Sequence, residues 1–334
     1  MRRVKYGVIG LGFFGEKHVE VLSALPQVEL TAVCTRREGR LQEVAHKYGV
    51  PRTYTDYQHL LNDKDIEAVS IVTHVNDHLQ PTLAALAAGK HVFLEKPMAA
   101  TTEECTRLIQ ALEGYTGAFM VGHICRFDPA YALAKRHIDE GKIGKILSIY
   151  ARRNIPAAVS QSVLASISPF MGDGVHDVDI MLWYTGSAVE SVYAQAIDVR
   201  GLAHPDIGWS MYRFVGGAVG VTENNWCLPP GTPFELDARM EVVGDKGAIY
   251  INSPGQPLAI NTADGWRYPD TVYWPRMETG RTGALKEELT YFAGCILKGE
   301  KPGIITPEES RAAVAAVEAA ERSAQTGEIV RITK

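Results

Sequence analysis

The chain has 334 residues, 46% hydrophobic and 22% charged, which excludes disordered and fibrous classes and gives room for two domains. A net charge of -5 offers no general reason to expect nucleic acid or an anionic membrane as partner. Five scattered cysteines (Cys34, Cys105, Cys125, Cys227, Cys295) lack any CxxC spacing, which argues against metal sites and disulfides and for a cytoplasmic, reducing compartment.

The basic start Met1-Arg2-Arg3 precedes a short, glycine-broken apolar run, read as a first strand rather than a signal peptide. No stretch approaches the roughly 18 apolar residues of a membrane span. Val4 to Ile9 predicts that strand, and a glycine turn then opens a helix with Phe14, His18, Val21, Leu22 and Leu25 at helical spacing. Leu30 to Thr35 predicts a second strand, followed by a helix marked by Leu41, Val44, Ala45 and Tyr48. Ala68 to Thr73 predicts a third strand, and Leu79, Leu83 and Leu86 stripe the next helix. His91 to Leu94 reads as a strand, Thr101-x-x-Glu104 as a capping box, and Ala118 to Gly122 closes the series. Such alternation predicts a doubly wound parallel α/β sheet of the Rossmann type over 1–125.

After Arg126 the pattern changes. Helices are expected near Ala130 to Glu140 and Asp177 to Tyr184. Strands are expected at Ile146 to Arg152, Val189 to Asp198, Met211 to Val215, Ala218 to Trp226, Arg239 to Val243 and Ala248 to Ile251. Short glycine-bearing connections signal hairpins, so 126–334 reads as an α+β domain with a mostly antiparallel open sheet. Thr306-Pro307-Glu308-Glu309 predicts a helix start, and the helix 307–326 is able to pack back on the first domain.

Three motifs carry chemistry. Gly10-Leu11-Gly12-Phe13-Phe14-Gly15 follows a strand and opens a helix, the context that makes GxGxxG a dinucleotide cradle. The second strand ends in Thr35-Arg36-Arg37 rather than an acid. A hydroxyl and two guanidinium groups suit a ribose 2′-phosphate, so NADP is the expected cofactor, with NAD held by backbone contacts the alternative. Glu95-Lys96-Pro97 ends a strand where ligands of parallel sheets bind, a placement suited to a proton-transferring lysine beside nicotinamide. The third motif is Gly172-Asp173-Gly174-Val175-His176-Asp177-Val178-Asp179. It brings a histidine, the side chain suited to take a hydroxyl proton near neutral pH, next to a helix start with acidic neighbours. No metal-ligand spacing is present, and metal is not expected. Arg126, Arg152 and Arg153 are candidates for an anionic substituent of a substrate.

These motifs, with Arg126-Phe127-Asp128-Pro129 and the Thr306-Pro307-Glu308-Glu309 helix, resemble the glucose–fructose oxidoreductase, inositol dehydrogenase and MocA (Gfo/Idh/MocA) oxidoreductase family over essentially the whole chain. The resemblance implies hydride transfer between nicotinamide and a ring hydroxyl or ketone of a sugar, sugar derivative or cyclic polyol. Lys96 would relay the proton and His176 would be the base. Thr73, His78 and Glu95 would line the nicotinamide, and Arg126, Arg153, Asp173 and His176 would meet substrate. A homodimer or homotetramer is implied, with neither nucleic acid nor membrane as partner. The inositol type carries an aspartate four residues before the histidine, where this chain has Gly172, and a Thr-Pro where it has Thr73-His74. Those departures keep two other activities open: a glycosidase-type enzyme that uses NAD without net redox change, and a non-catalytic protein that binds cofactor or sugar.

Overall fold

The computed structural model describes residues 2–160, 166–253, 258–263 and 265–332. The chain divides into two compact units, Met1–Phe127 with Tyr273–Arg311, and Asp128–Val272 with Ala312–Lys334.

The first unit alternates strand and helix: β1 (Val4–Ile9), α1 (Phe13–Ala24), β2 (Val28–Cys34), α2 (Glu38–Tyr48), β3 (Arg52–Tyr54), α3 (Tyr57–Asn62), β4 (Ala68–Ile71), α4 (Leu79–Ala87), β5 (His91–Glu95), α5 (Thr102–Ala111) and β6 (Phe119–Gly122). Its six-stranded sheet runs β3-β2-β1-β4-β5-β6, parallel throughout. Strands covered on both faces need continuous apolar runs, and β4 and β6 are buried at every position. Order reverses between β1 and β4, which marks their carboxyl ends as the ligand edge. The short pair β3 and α3 had not been predicted; three residues carry too little periodicity to register.

The expected boundary at 125/126 differs from the division observed, because Tyr273–Arg311 groups with the first unit. That segment holds an unpredicted helix, Ala284–Lys298, which buries Leu285, Leu289, Phe292 and Ile296 on one face. Phe292 meets Phe93 of β5 edge-on at 5.6 Å and Tyr6 of β1 at 6.5 Å, so the helix belongs to the parallel sheet's own core. The helix Pro307–Thr326 begins as expected: Thr306 Oγ1 accepts the Glu309 N–H at 3.1 Å and Glu309 Oε2 accepts the Thr306 N–H at 2.9 Å.

The second unit contains α6 (Pro129–Asp139), β7 (Ile146–Asn154), α7 (Ala157–Ser160), α8 (Val175–Thr185), β8 (Val189–Ile197), β9 (Ile207–Phe214), β10 (Val219–Asn225), β11 (Asp237–Gly244) and β12 (Ala248–Ser253). The seven-stranded sheet runs β12-β11-β7-β10-β9-β8 and ends on the strand Val330–Arg331. Only the β10/β7 pair is parallel. Strand β9 shows the one-face pattern clearly, with Ser210, Tyr212 and Phe214 buried while Trp209, Met211 and Arg213 are exposed. Helix α8 packs against β7 and β10. It starts at Val175, two residues before the predicted Asp177, because a turn of π-helix, Phe170–Gly174, feeds directly into it.

Candidate active site

The glycine turn joins β1 to α1. Gly10 has a φ of 98°, and a Cβ there would lie 2.6 Å from the Val72 carbonyl carbon and 2.9 Å from the Thr73 nitrogen. A Cβ on Gly15 would overlap the Gly10 carbonyl oxygen. Side chains at either position would push α1 off the sheet. Gly12 faces open space and caps α1 without a side-chain hydrogen bond. The first-turn N–H groups therefore keep their donors for an anion, at the positive end of the helix. This cradle fits a dinucleotide diphosphate. Phe13, 75% exposed, stands at its lip with the Lys17 ammonium 3.8 Å over the ring. Phe14 turns inward between His18 and Trp274.

The arginines at and after the end of β2 have protein partners. Arg36 pairs with Asp77 at 3.2 Å. Arg37 Nη2 and Arg40 Nε both donate to the Leu11 carbonyl, at 3.1 and 3.2 Å, and Arg40 also pairs with Glu16. Lys47 and Arg40 hold the Glu16 carboxyl down at about 2. The group braces the glycine turn from outside. Thr35 Oγ1 lies 3.5 Å from the Arg37 nitrogen, a marginal contact.

At the ligand edge, β5 delivers Glu95 and Lys96, and the Lys96–Pro97 peptide is cis. Lys96 is half-buried. Glu95, expected to line the nicotinamide, has its carboxylate turned to partners within the first unit. It is buried; Oε1 lies 3.0 Å from His18 Nε2 and Oε2 accepts the Lys96 N–H at 3.2 Å. His78 is fully enclosed, with Nδ1 2.8 Å from the Pro97 carbonyl and Nε2 3.1 Å from that of Thr73. Burial holds the His78 imidazole below its ordinary value of 6.5, against those hydrogen bonds. Its role is to tie the loop after β4 to the turn after β5. Thr73 Oγ1 donates to the Asp77 carbonyl.

In the second unit His176 lies in the first turn of α8, buried but for 7% of its surface. Below it Arg153 Nε and Nη2 donate to Asp177 Oδ1 at 3.2 and 3.0 Å, and Asn224 Nδ2 approaches Oδ2 at 3.4 Å. Burial raises the Asp177 carboxyl above its ordinary value while the Arg153 guanidinium pulls it down. Arg153, a candidate substrate contact, is thus paired internally with α8. Arg126, in the first unit, is likewise internal: it donates to the Ile304 carbonyl at 2.8 Å and pairs with Glu309 at 3.2 Å.

Asp173, the carboxylate nearest to Gly172, is half-buried and engaged by Trp226. The Trp226 indole Nε1 donates to Asp173 Oδ2 at 2.8 Å. A Cβ on Gly172 would collide with Trp226 Cη2 and lie 2.7 Å from Cζ2. Trp226, 2% exposed, occupies the space into which a residue-172 side chain would project. Sequence reasoning had missed Trp226 and the pairing of His18 with Glu95. The one available signal was a histidine on the buried stripe of α1. Among the described residues, no cluster of three or more His, Cys, Asp or Glu is placed to hold a metal ion. No described helix is long and apolar enough to cross a membrane.

An uncapped helix behind a glycine turn, at the ligand edge of a parallel sheet, is the layout of a dinucleotide-binding domain. Residues 4–123 match the oxidoreductase family with an NAD-binding Rossmann fold, and 131–250 match the GFO/IDH/MocA C-terminal domain. The chain belongs to the Gfo/Idh/MocA oxidoreductase family. It is 32% identical over 313 residues to the scyllo-inositol 2-dehydrogenase (NAD(+)) of Bacillus subtilis, covering 90% of this chain and 88% of that one. The myo-inositol 2-dehydrogenase of Thermotoga maritima is 29% identical, covering 98% of each chain. Among solved structures, scyllo-inositol dehydrogenase from Lactobacillus casei with bound NAD(H) and scyllo-inositol superposes with a TM-score of 0.85 at 25% identity, covering 99% of both chains.

Two outcomes follow from this packing. Gly172→Ala is expected to destabilise by about 1–3 kcal/mol through overpacking. Adding Trp226→Phe should recover part of that loss, so the two thermal-midpoint changes will be non-additive; strict additivity would show that the residues do not compete for space. For His78 the folded value is depressed, so its contribution is complete above the ordinary value of 6.5 and lost as pH falls through the folded one. Burial acts on His91 in the same direction. The thermal midpoint should therefore drop between about pH 7.5 and 5.5, and His78→Gln should flatten part of that drop. An unchanged pH slope in a folded His78→Gln would contradict it.

Proposed function

We propose that this chain is an NAD-dependent dehydrogenase of a neutral cyclic polyol or sugar ring, interconverting a ring CH–OH and its ketone. What supports the reading is the placement of Lys96 on the ligand edge of the sheet whose glycine turn forms the diphosphate cradle, together with inositol dehydrogenases as relatives. When bound, the nicotinamide supplies the hydride chemistry. Gly10, Gly12 and Gly15 would hold the diphosphate, with Phe13 over its edge and Thr73 toward the nicotinamide. NAD is favoured over the NADP expected from sequence, because Arg36 and Arg37 are engaged with Asp77 and Leu11.

In this reading the Lys96 amine and the His176 imidazole hold and move the proton of the reacting hydroxyl. The displaced carboxylate at Gly172 favours a ring that makes different polar contacts there from inositol. A polyol and sugar screen with each nicotinamide, following reduced cofactor by absorbance, identifies the substrate. With it, Lys96→Met and His176→Ala should each lower kcat by about 10²–10⁴ while cofactor affinity, titrated by fluorescence, changes little. Full turnover in Lys96→Met removes the lysine from the chemistry. NADPH binding tighter than NADH would overturn the cofactor choice.

The five free cysteines favour a reducing, cytoplasmic compartment. We also propose a homo-oligomer, formed through the exposed face of the second unit's sheet. Tyr193, Met211, Val221, Tyr150, Glu241 and Tyr250 lie in register across six strands of it, a broad surface for a second copy. Met211→Glu should shift the mass found by light scattering to a smaller species without changing circular dichroism; a wild-type sample that is already monomeric would rule the interface out.

A further inference from the structure

His18 is a buried titratable group for which the proposed reaction has no use. It has no exposed surface, and its ring is flanked edge-on by Phe14 at 5.3 Å and Phe93 at 5.4 Å. An apolar side chain would fill this nest without the desolvation cost of an imidazole. The histidine is there because of its partners. Nε2 lies 3.0 Å from Glu95 Oε1, and a carboxylate only accepts, so Nε2 carries the proton. Nδ1 then accepts from Ser70 Oγ at 3.4 Å, whose oxygen takes the Tyr6 hydroxyl at 3.1 Å. Burial raises the Tyr6 phenol far above its ordinary value, which keeps Tyr6 a donor. The chain Tyr6–Ser70–His18–Glu95 therefore runs in one direction, every donor matched, and ends on a buried carboxylate.

That carboxylate is accommodated from several sides. A Cβ on Gly122 would lie 2.8 Å from Glu95 Oε1, so β6 leaves room for it. Its other oxygen holds the Lys96 backbone N–H. On the far side of the same residue, His78 Nδ1 lies 2.8 Å from the Pro97 carbonyl. The backbone around Lys96 is thus held at its own N–H and again one residue further on, at the Pro97 carbonyl.

We propose that Glu95 and His18 are positioning residues for Lys96: the α1 histidine fixes the carboxylate, and the carboxylate fixes the backbone from which the lysine projects. This rests on Lys96 as the proton-moving amine, yet the geometry can be tested without turnover. Three variants of the full chain decide it. His18→Leu removes the donor to Glu95, His18→Gln returns an N–H to the same region, and Glu95→Gln breaks one of the carboxylate's two accepted bonds. Peptide-resolved reductive methylation should label Lys96 about fivefold faster in His18→Leu and in Glu95→Gln, as expected for local loosening, and near the wild-type rate in His18→Gln. With NAD and the polyol substrate, His18→Leu should lower kcat by about 10² while KM changes less than about threefold, and His18→Gln should recover most of it. An unaltered labelling rate in folded His18→Leu overturns the proposal, as does equal loss in the leucine and glutamine variants. If His18→Leu does not fold, the labelling of Glu95→Gln decides alone. Full turnover in Lys96→Met would instead sink the assignment of the lysine, and leaves the labelling result to judge the clamp.

Discussion

Helix α1 can approach the sheet only because the backbone at two points has no side chain to keep it away. Gly15 lies against the Gly10 carbonyl, and Gly10 against the carbonyl group of Val72. This contact sets where the helix begins, and therefore where its unpaired N–H groups point. It also sets where the rest of the helix goes. His18 is one turn beyond Gly15 on the same face, so the approach that prepares the anion site carries the imidazole beneath β5 to Glu95. One helix thereby carries both the start that faces the cradle and the histidine that meets Glu95 of β5.

The second unit meets a different constraint. Its candidate base sits on a helix whose first turn carries a buried ion pair, Arg153 with Asp177. Removing one partner of such a pair typically costs about 3–5 kcal/mol, because the other charge is left uncompensated. Asn224 shares the burden, and Gly174 makes room for it: a Cβ there would sit 2.8 Å from Asn224 Oδ1. One turn earlier, Trp226 fills the space beside Gly172 and binds Asp173. Packing has replaced a carboxylate at this point of the helix, so the polar contacts available to a substrate differ from those of a chain with aspartate there.

What was legible in the sequence was local. The glycine turn, the Glu95-Lys96-Pro97 strand end and the Thr306 capping box depend on residues within a few positions of one another, and each forms the local structure expected of it. Helix Ala284–Lys298 was missed although Leu285, Leu289, Phe292 and Ile296 repeat at helical spacing; its attachment to the first unit could not be read, since Phe292 finds Tyr6 and Phe93 across most of the chain. The arginines fail for the same reason. Arg126 meets Glu309 and Arg153 meets Asp177, and nothing in the spacing of these residues distinguishes an internal partner from a ligand. Trp226 and Gly172 form a steric pair, which no pattern of polarity reveals.

The fate of the arginines bears on the charge of the substrate. A carboxylate or phosphate on the ring would need a guanidinium or ammonium free to meet it, since an anion brought into a partly buried site without a partner pays its desolvation in full. All three arginines expected to serve have protein partners: Arg126 with Glu309, Arg152 with Asp237 at 2.8 Å, and Arg153 with Asp177. Recruiting Arg153 would take the ion-pair partner from buried Asp177, and recruiting Arg126 would break its pair with Glu309 and its bond to the Ile304 carbonyl. A neutral ring makes no such demand. Its hydroxyls can be recognised by groups that both donate and accept, so the internal pairs stay intact.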